Sequence, residues 1–281
     1  MGQGRPGLKQ ARILSVTLLS LLTIFPLIIR PAFTADLATI RQRQRLIVAV
    51  KDNLRPLGFR TSSGQLTGLE IDIARRLALE ILGRDDAITL HPVLNRDRLP
   101  AVLEDRVDLV IARLTVTGPR ARLVSFSTPY YIDGTGLITA RHSIRHLKDL
   151  RNQPIAVLKN STTIDTVRYF LPSAKLIGVD SYASALQLLQ GGQAVAFAGD
   201  VTVLSGWAQE YSQYKILPTL LSAEPLCVVM PKGKQYDDLR RQVNGALDRW
   251  RKEGWLQERA EFWGLPVVVM QEGNSNLNVH R

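Results

Sequence analysis

From residue 45 onward, short apolar runs alternate with helical stripes. Residues 45–50 form an apolar run of strand length, and after Gly68 the positions Ile71, Ala74, Leu77, Ala78 and Ile81 line one face of a helix. The pattern repeats with a strand-like stretch at 88–93, a helical 99–103 and a strand at 107–111. A basic, polar segment at 141–151 separates this series from a second one. There, strands are predicted at 155–158, 176–179 and 194–198, with helices at 162–170 and 182–189. The last third adds a strand at 226–230 and two amphipathic helices, 236–250 and 255–263, that require a surface to cover. Such alternation predicts open, mostly parallel sheets flanked by helices. In sheets of this kind ligands bind beyond the carboxyl ends of the strands, so the groups of interest are those that follow strands.

The first 34 residues differ from the rest. Arg5, Lys9 and Arg12 precede an apolar run at 13–29, and small residues follow around Ala32 and Ala35. This layout predicts a secretory signal peptide over 1–34, with an uncleaved membrane anchor as the alternative because the run is long enough to span a bilayer. The remaining length suits two lobes rather than one minimal core. Cys227 is the single cysteine, set among Leu226, Val228 and Val229, which predicts a buried, inert thiol on a strand. Net charge is +11 for the whole chain. The Arg and Lys residues are scattered and lack interleaved aromatics, so the charge is read as a solvated basic surface rather than a nucleic-acid site.

Seven motifs then appear in order. They are Leu66-Thr-Gly-Leu-Glu-Ile-Asp-Ile-Ala74, Val107-Asp-Leu-Val-Ile111, Thr115-Val-Thr-Gly-Pro-Arg120 and Phe126-Ser-Thr-Pro-Tyr-Tyr131, followed by Ile155-Ala-Val-Leu-Lys-Asn-Ser-Thr-Thr163, Gly192-Gln-Ala-Val-Ala-Phe-Ala-Gly-Asp200 and Phe262-Trp-Gly264. Together they resemble the polar amino-acid family of periplasmic solute-binding proteins, family 3, over residues 44–264. The resemblance implies an α/β, two-lobed periplasmic binding protein fold of type II with a hinge and an interlobe cleft. Lobe 1 would comprise 44–135 plus 224–270 and lobe 2 would comprise 141–217, with a flexible tail at 271–281. Extended crossings near 135–141 and 217–224 would act as hinges. It further implies a monomer in the periplasm that holds a small L-amino acid and delivers it to the permease of an ABC importer in the inner membrane, with no cofactor, no metal and no nucleic acid.

By the same resemblance Arg120 grips the ligand α-carboxylate, and its guanidinium fork suits both oxygens in a way lysine does not. Thr115 adds hydrogen bonds to that carboxylate. Ser161 and Thr162 open a helix whose free N–H groups form an anion seat, or cap it, and the two roles are compatible. Asp200 pairs with the ligand α-ammonium; its alternative role is N-cap of the helix that follows. Three departures stand out: Asn160 replaces a usual glycine, Val195 replaces a frequent aspartate, and Leu54 and Leu57 stand where many relatives place an aromatic platform.

Lys51, Arg98 and Arg113 add cations around the expected cleft. Arg98 lies in Asn95-Arg-Asp-Arg-Leu-Pro100, and both this segment and Val50-Lys-Asp-Asn-Leu-Arg-Pro-Leu-Gly58 resemble the glutamate and aspartate binders. A ligand cation about 5 Å from one of these charges costs roughly 3 kcal/mol at an effective dielectric near 20, on the order of a hundredfold in affinity. Glutamate or aspartate is therefore the expected ligand, with a neutral polar or broad-specificity binder as the alternative. An enzyme resembling periplasmic dehydratases, using Glu70 or Glu224, and an anchored sensor are the rivals from other classes. Glu70 sits at a helix start, where a carboxylate already suits the helix dipole. His142 and His146 have metal-like spacing without a helical stripe or a third ligand, and are expected in solvent.

Overall fold

The computed structural model describes residues 1–2, 36–159 and 161–266. Residues 3–34 of the predicted signal peptide and the tail at 271–281, along with Asn160, lie outside the described residues. In chain order the first lobe lays down α1 (Leu37–Arg43), β1 (Leu46–Val50), three short strands β2 (Asn53–Leu54), β3 (Gly58–Arg60) and β4 (Leu66–Thr67), then α2 (Leu69–Leu82) and β5 (Ile88–Pro92). It continues with α3 (Arg98–Leu103), β6 (Leu109–Ile111), α4 (Gly118–Leu123) and the long β7 (Ser125–Asp133). The second lobe contains β8 (Thr135–Thr139), β9 (Pro154–Leu158), α5 (Thr163–Phe170), β10 (Lys175–Val179), α6 (Tyr182–Gln190), β11 (Ala196–Asp200), α7 (Val201–Glu210) and β12 (Lys215–Ile216). The chain returns to the first lobe with β13 (Glu224–Met230), α8 (Asp237–Lys252) and α9 (Trp255–Phe262).

The two sheets have the same plan. The first runs β5-β1-β6-β13-β7 and the second β10-β9-β11-β8-β12. In each, the first three strands are parallel and the fourth is antiparallel to both its neighbours. Side chains alternate across the pleat, so each sheet buries both faces. Leu46, Val48 and Val50 of β1 meet α2 and α8 on one side, while Ala49 packs with Val102 and Val229 on the other. In β11, Ala196 and Ala198 pack with Val167, and Phe197 packs with Leu204 on the opposite face. The C-terminal α8 closes the first lobe with a buried stripe of Leu239, Val243, Ala246, Leu247 and Trp250, and the Trp250 indole donates to Glu80 at 3.1 Å.

The crossings are tighter than the sequence predicts. Residues 135–139, expected as a linker, form β8, which is buried throughout and paired on both edges with β11 and β12. Covered on both faces, Thr-Gly-Leu-Ile-Thr carries no polar alternation, and this hides the strand. The first crossing is thereby reduced to the turn at Gly134. There the chain lies against the second crossing so closely that a Cβ on Gly134 would stand 2.0 Å from the Ser222 carbonyl oxygen. The Thr135 amide donates to Ser222 Oγ at 2.8 Å, and the Leu221 amide donates to the Thr135 carbonyl at 2.8 Å. These bonds tie the two connections into one narrow waist.

The lobes also meet through α7. A Cβ at Gly206 would lie 2.6 Å from the Arg55 carbonyl oxygen, and Gln209 Nε2 donates to the Trp263 carbonyl at 2.7 Å. Helix α7 therefore presses its backbone against the first lobe.

Candidate ligand-binding cleft

The residues that follow strands converge at this waist. After β6 the chain turns at Arg113 in the left-handed region, φ 47°, a conformation that costs a non-glycine residue on the order of 1 kcal/mol. Two side chains hold it there. Glu70 Oε1 accepts the Arg113 amide at 2.6 Å, and Arg98 Nη1 donates to the carbonyls of Ala112 at 3.0 Å and Arg113 at 2.5 Å. Arg98 also donates through Nε to the Asn95 carbonyl at 3.0 Å. Its guanidinium is therefore committed to backbone oxygens of its own lobe. Burial pushes its pKa down, and the neighbouring Arg120 and Arg113 charges push the same way.

The Arg113 side chain reaches the second lobe. Its Nε donates to Asp133 Oδ2 at 3.2 Å, and its Nη2 pairs with Asp200 Oδ2. Burial works against this charge, but Asp200 and Asp133 outweigh it and raise its pKa. Asp133 is fully buried at the end of β7 and also accepts the Gly134 amide at 2.9 Å. From the second lobe it takes the Thr202 amide at 3.1 Å and the Thr202 hydroxyl at 2.7 Å. Asp200 stands at the N-cap of α7 yet makes no side-chain cap bond. Asp133 serves that helix end instead, which leaves the Asp200 carboxylate facing Arg113. Burial raises the Asp200 pKa against the pull of Arg113, with Asp133 adding to the rise.

The other expected residues have contacts of their own. Arg120, on α4, folds back so that Nη1 donates to the Thr115 carbonyl at 2.9 Å and to its Oγ1 at 3.0 Å. Thr115 in turn bridges to Leu226. Ser161 and Thr162 stand at the start of α5, where Ser161 Oγ accepts the Thr163 amide at 3.1 Å and the Thr162 side chain makes no cap bond. Lys51 follows β1 and is buried, with Nζ donating to the Val93 carbonyl at 2.9 Å. Burial lowers its pKa, helped by Arg98.

Between the lobes lies a cavity of about 390 Å³, within the range typical of small-molecule sites. Lys51, Asn53, Leu54, Asn95 and Arg113 line it from the first lobe, and Tyr182, Val203, Trp207 and Glu210 from the second. Of the residues expected from sequence, Lys51 and Arg113 line it; Arg98, Thr115, Arg120, Ser161, Thr162 and Asp200 do not. Its aromatic wall comes from the second lobe, where Trp207 stacks on Phe197 at 5.1 Å and meets Tyr182 edge-on at 6.1 Å.

Asp133, Tyr182 and Trp207 were not legible as site residues. Asp133 had a usable signal, an acid ending a long apolar strand immediately before a glycine, whereas the aromatics lie on helices with ordinary core spacing. The two candidate catalytic acids have defined surroundings. Glu70 is fully buried and Tyr130 donates to its Oε1 at 2.5 Å; it holds the Arg113 turn and is not among the residues lining the cavity. Glu224 pairs with Asp133 across β7 and β13 and accepts from Ser222 Oγ at 3.4 Å. Burial raises its pKa, with Asp200 and Asp133 adding to the rise. Cys227 is buried on β13, and burial pushes its thiol up to about 11, as expected for an inert sulfur. His142 and His146 are exposed, and among the described residues no group of His, Cys, Asp and Glu is placed to hold a metal ion.

Two open α/β sheets of identical order, joined at a narrow waist with a charged cleft between them, define a two-lobed type II solute-binding protein. The chain belongs to the bacterial extracellular solute-binding proteins, family 3, which it matches over residues 46–266. A glutamine-binding protein of Geobacillus stearothermophilus is 33% identical over 197 residues, 69% of this chain and 75% of that one. The ABC transporter glutamine-binding protein GlnH of Bacillus subtilis (strain 168) is 28% identical over 230 residues, 81% of this chain and 84% of its own. Among solved structures, an ancestral cationic amino acid solute-binding protein is similar with a TM-score of 0.69 at 29% identity, covering 81% of this chain and 99% of that one.

Proposed function

We propose that this protein is the substrate-binding component of an amino-acid ABC importer, clamping one L-amino acid, glutamate or aspartate, between its lobes outside the inner membrane. The observation that carries this reading is the charge layout of the cleft. Lys51 and Arg113 line the cavity, Arg120 and Arg113 each lie near enough to Arg98 for their charges to act on it, and Asp200 faces Arg113 from the second lobe. An acidic amino acid complements that set, with its α-carboxylate on Arg120 and Thr115, its α-ammonium on Asp200, and its side-chain carboxylate toward Lys51 and Arg113. Arg98 acts indirectly in this reading, fixing the turn that presents Arg113. Ser161 and Thr162 add their helix start to the carboxylate on closure, and the closed form is favoured because it binds the ligand more tightly. The ammonium seat and the relatives named for amino acids both favour binding over catalysis.

A second reading, glutamine, has its own support. Arg113 is already balanced by two carboxylates, and Asn53, Asn95 and Glu210 offer the cavity donors and acceptors for an amide. Calorimetric titration of refolded, ligand-stripped protein against an amino-acid panel decides the matter. One-to-one binding of glutamate or aspartate, lost in Arg120→Ala and Asp200→Ala, is the expected result. Binding of glutamine alone replaces the ligand and keeps the importer role, while silence across the panel overturns the proposal.

A further inference from the structure

We propose that Arg113 is an internal competitor for Asp200: its guanidinium occupies the carboxylate a ligand ammonium would take, and a bound amino acid displaces it and meets the released fork with its own side chain. This deepens the reading above and rests on Asp200 being the ammonium seat.

The two ends of the Arg113 bridge differ in strength. At Asp133 the partner is fixed, because its oxygens also hold the Gly134 amide and the amide and hydroxyl of Thr202. At Asp200 the partner is a carboxylate that makes no cap bond with its own helix and is a quarter exposed, at 23% against 1% for Asp133. The weaker attachment is therefore the one to Asp200. The charge count agrees: one guanidinium between two carboxylates leaves one negative charge over, which a single ammonium would neutralise. Arg113 can release Asp200 while its Nε stays on Asp133, and the backbone need not move, since Glu70 and Arg98 clamp the turn from both sides.

Where the released Nη groups go decides the ligand. Arg113 and Lys51 line the same cavity, with the Glu210 carboxylate on its wall, so a neutral side chain brings no anion of its own to replace the broken Asp200 pair. An acidic side chain supplies the anion and compensates for the broken Asp200 pair. By this mechanism Arg113 imposes a cost on every amino acid and returns it only to acids, which makes it a specificity-determining residue.

The test compares dissociation constants for glutamate and glutamine in the wild type, Arg113→Gly and Arg113→Lys. Glycine adopts the left-handed turn freely, and although the buried Asp133 loses its ion-pair partner it keeps the Gly134 amide and the amide and hydroxyl of Thr202, so the variant is expected to fold with a lower melting temperature, its melting curve being the check. Removing the guanidinium frees Asp200 for any ammonium and removes the partner for a side-chain acid. Glutamine should bind about tenfold tighter and glutamate about tenfold weaker, a shift of about a hundredfold in their ratio. Arg113→Lys should fall between. An unchanged ratio, with both constants moving by the same factor, overturns the competitor role and leaves the importer reading standing. Wild-type binding of some other amino acid but neither of these does the same, whereas no amino-acid binding by wild type or variants overturns both.

Discussion

Asp133 caps a helix it does not belong to. Its Oδ1 accepts the Thr202 amide at 3.1 Å, and its Oδ2 accepts the Thr202 hydroxyl at 2.7 Å, from the last residue of β7 to the first turn of α7 across the waist. The adjacent Asp200, which holds the N-cap position, is thereby released from capping. One aspartate orients the helix so that another can face Arg113.

Asp133→Ala should therefore lower stability by about 3 kcal/mol or more, because it leaves the Thr202 amide and hydroxyl unpaired and strips a buried ion pair of one partner. Asp133→Asn, which keeps one accepting oxygen for the Thr202 amide, should cost less. Urea unfolding measures both. An alanine variant within about 0.5 kcal/mol of wild type, the range of an ordinary surface substitution, would mean the trans cap is incidental.

Gly206 separates closure from folding. In mid-helix, alanine is favoured over glycine by about 0.5–1 kcal/mol, so with α7 moved clear of Arg55 the Gly206→Ala protein should have an unchanged or raised thermal midpoint. Its Cβ would nevertheless lie 2.6 Å from the Arg55 carbonyl oxygen, which forces α7 away from the first lobe. Ligand affinity should drop about tenfold or more, since tight binding belongs to the closed form. Small-angle scattering in the presence of ligand should show a more extended particle. Full affinity in this variant would rule out the α7 contact as part of the closed state.

Most of the strands and helices of both lobes were legible because they alternate between two periods, and the long stripes of α2 and α8 left little room for error, but α1, β7 and β12 were not read. The failures have physical causes. Strand β8 is covered on both faces and so lacks the polar alternation that marks a half-buried strand. The short β2–β4 sheet and α4 hold too few residues to show any period. In the site, charged residues after strands were found, but their partners were not. Arg98 and Lys51 read as ligand groups because their sequence neighbours suggest a cleft; only the fold shows that both donate to carbonyls in their own lobe. The Arg113 to Asp200 bridge links residues far apart in the chain and on different lobes, and no local spacing encodes it. Glu70 read as a helix-dipole acid, and its placement beneath the Arg113 turn likewise depends on long-range packing.

That placement makes Glu70 a determinant of pH-dependent stability. Burial raises its pKa above the ordinary 4.5, against the hydrogen bonds from Tyr130 and the Arg113 amide and the charges of Arg113 and Arg98. A carboxyl with a raised native pKa holds its proton in the folded protein when the unfolded chain has lost it. Stability therefore falls as pH rises from about 4.5 toward the native pKa, and this contribution is not lost below that window. Glu70→Gln removes the titration but keeps an oxygen for the Arg113 amide and the Tyr130 hydroxyl. Its unfolding free energy should be flatter across that window, and at neutral pH should equal or exceed that of wild type. Glu70→Ala should instead lose about 1–3 kcal/mol for each of those two donors left unpaired. Urea titrations of the three proteins at several pH values check the sign: if the wild type gains stability relative to Glu70→Gln on going from acid to neutral pH, Glu70 is ionised and paired in the native state, and the raised pKa is wrong.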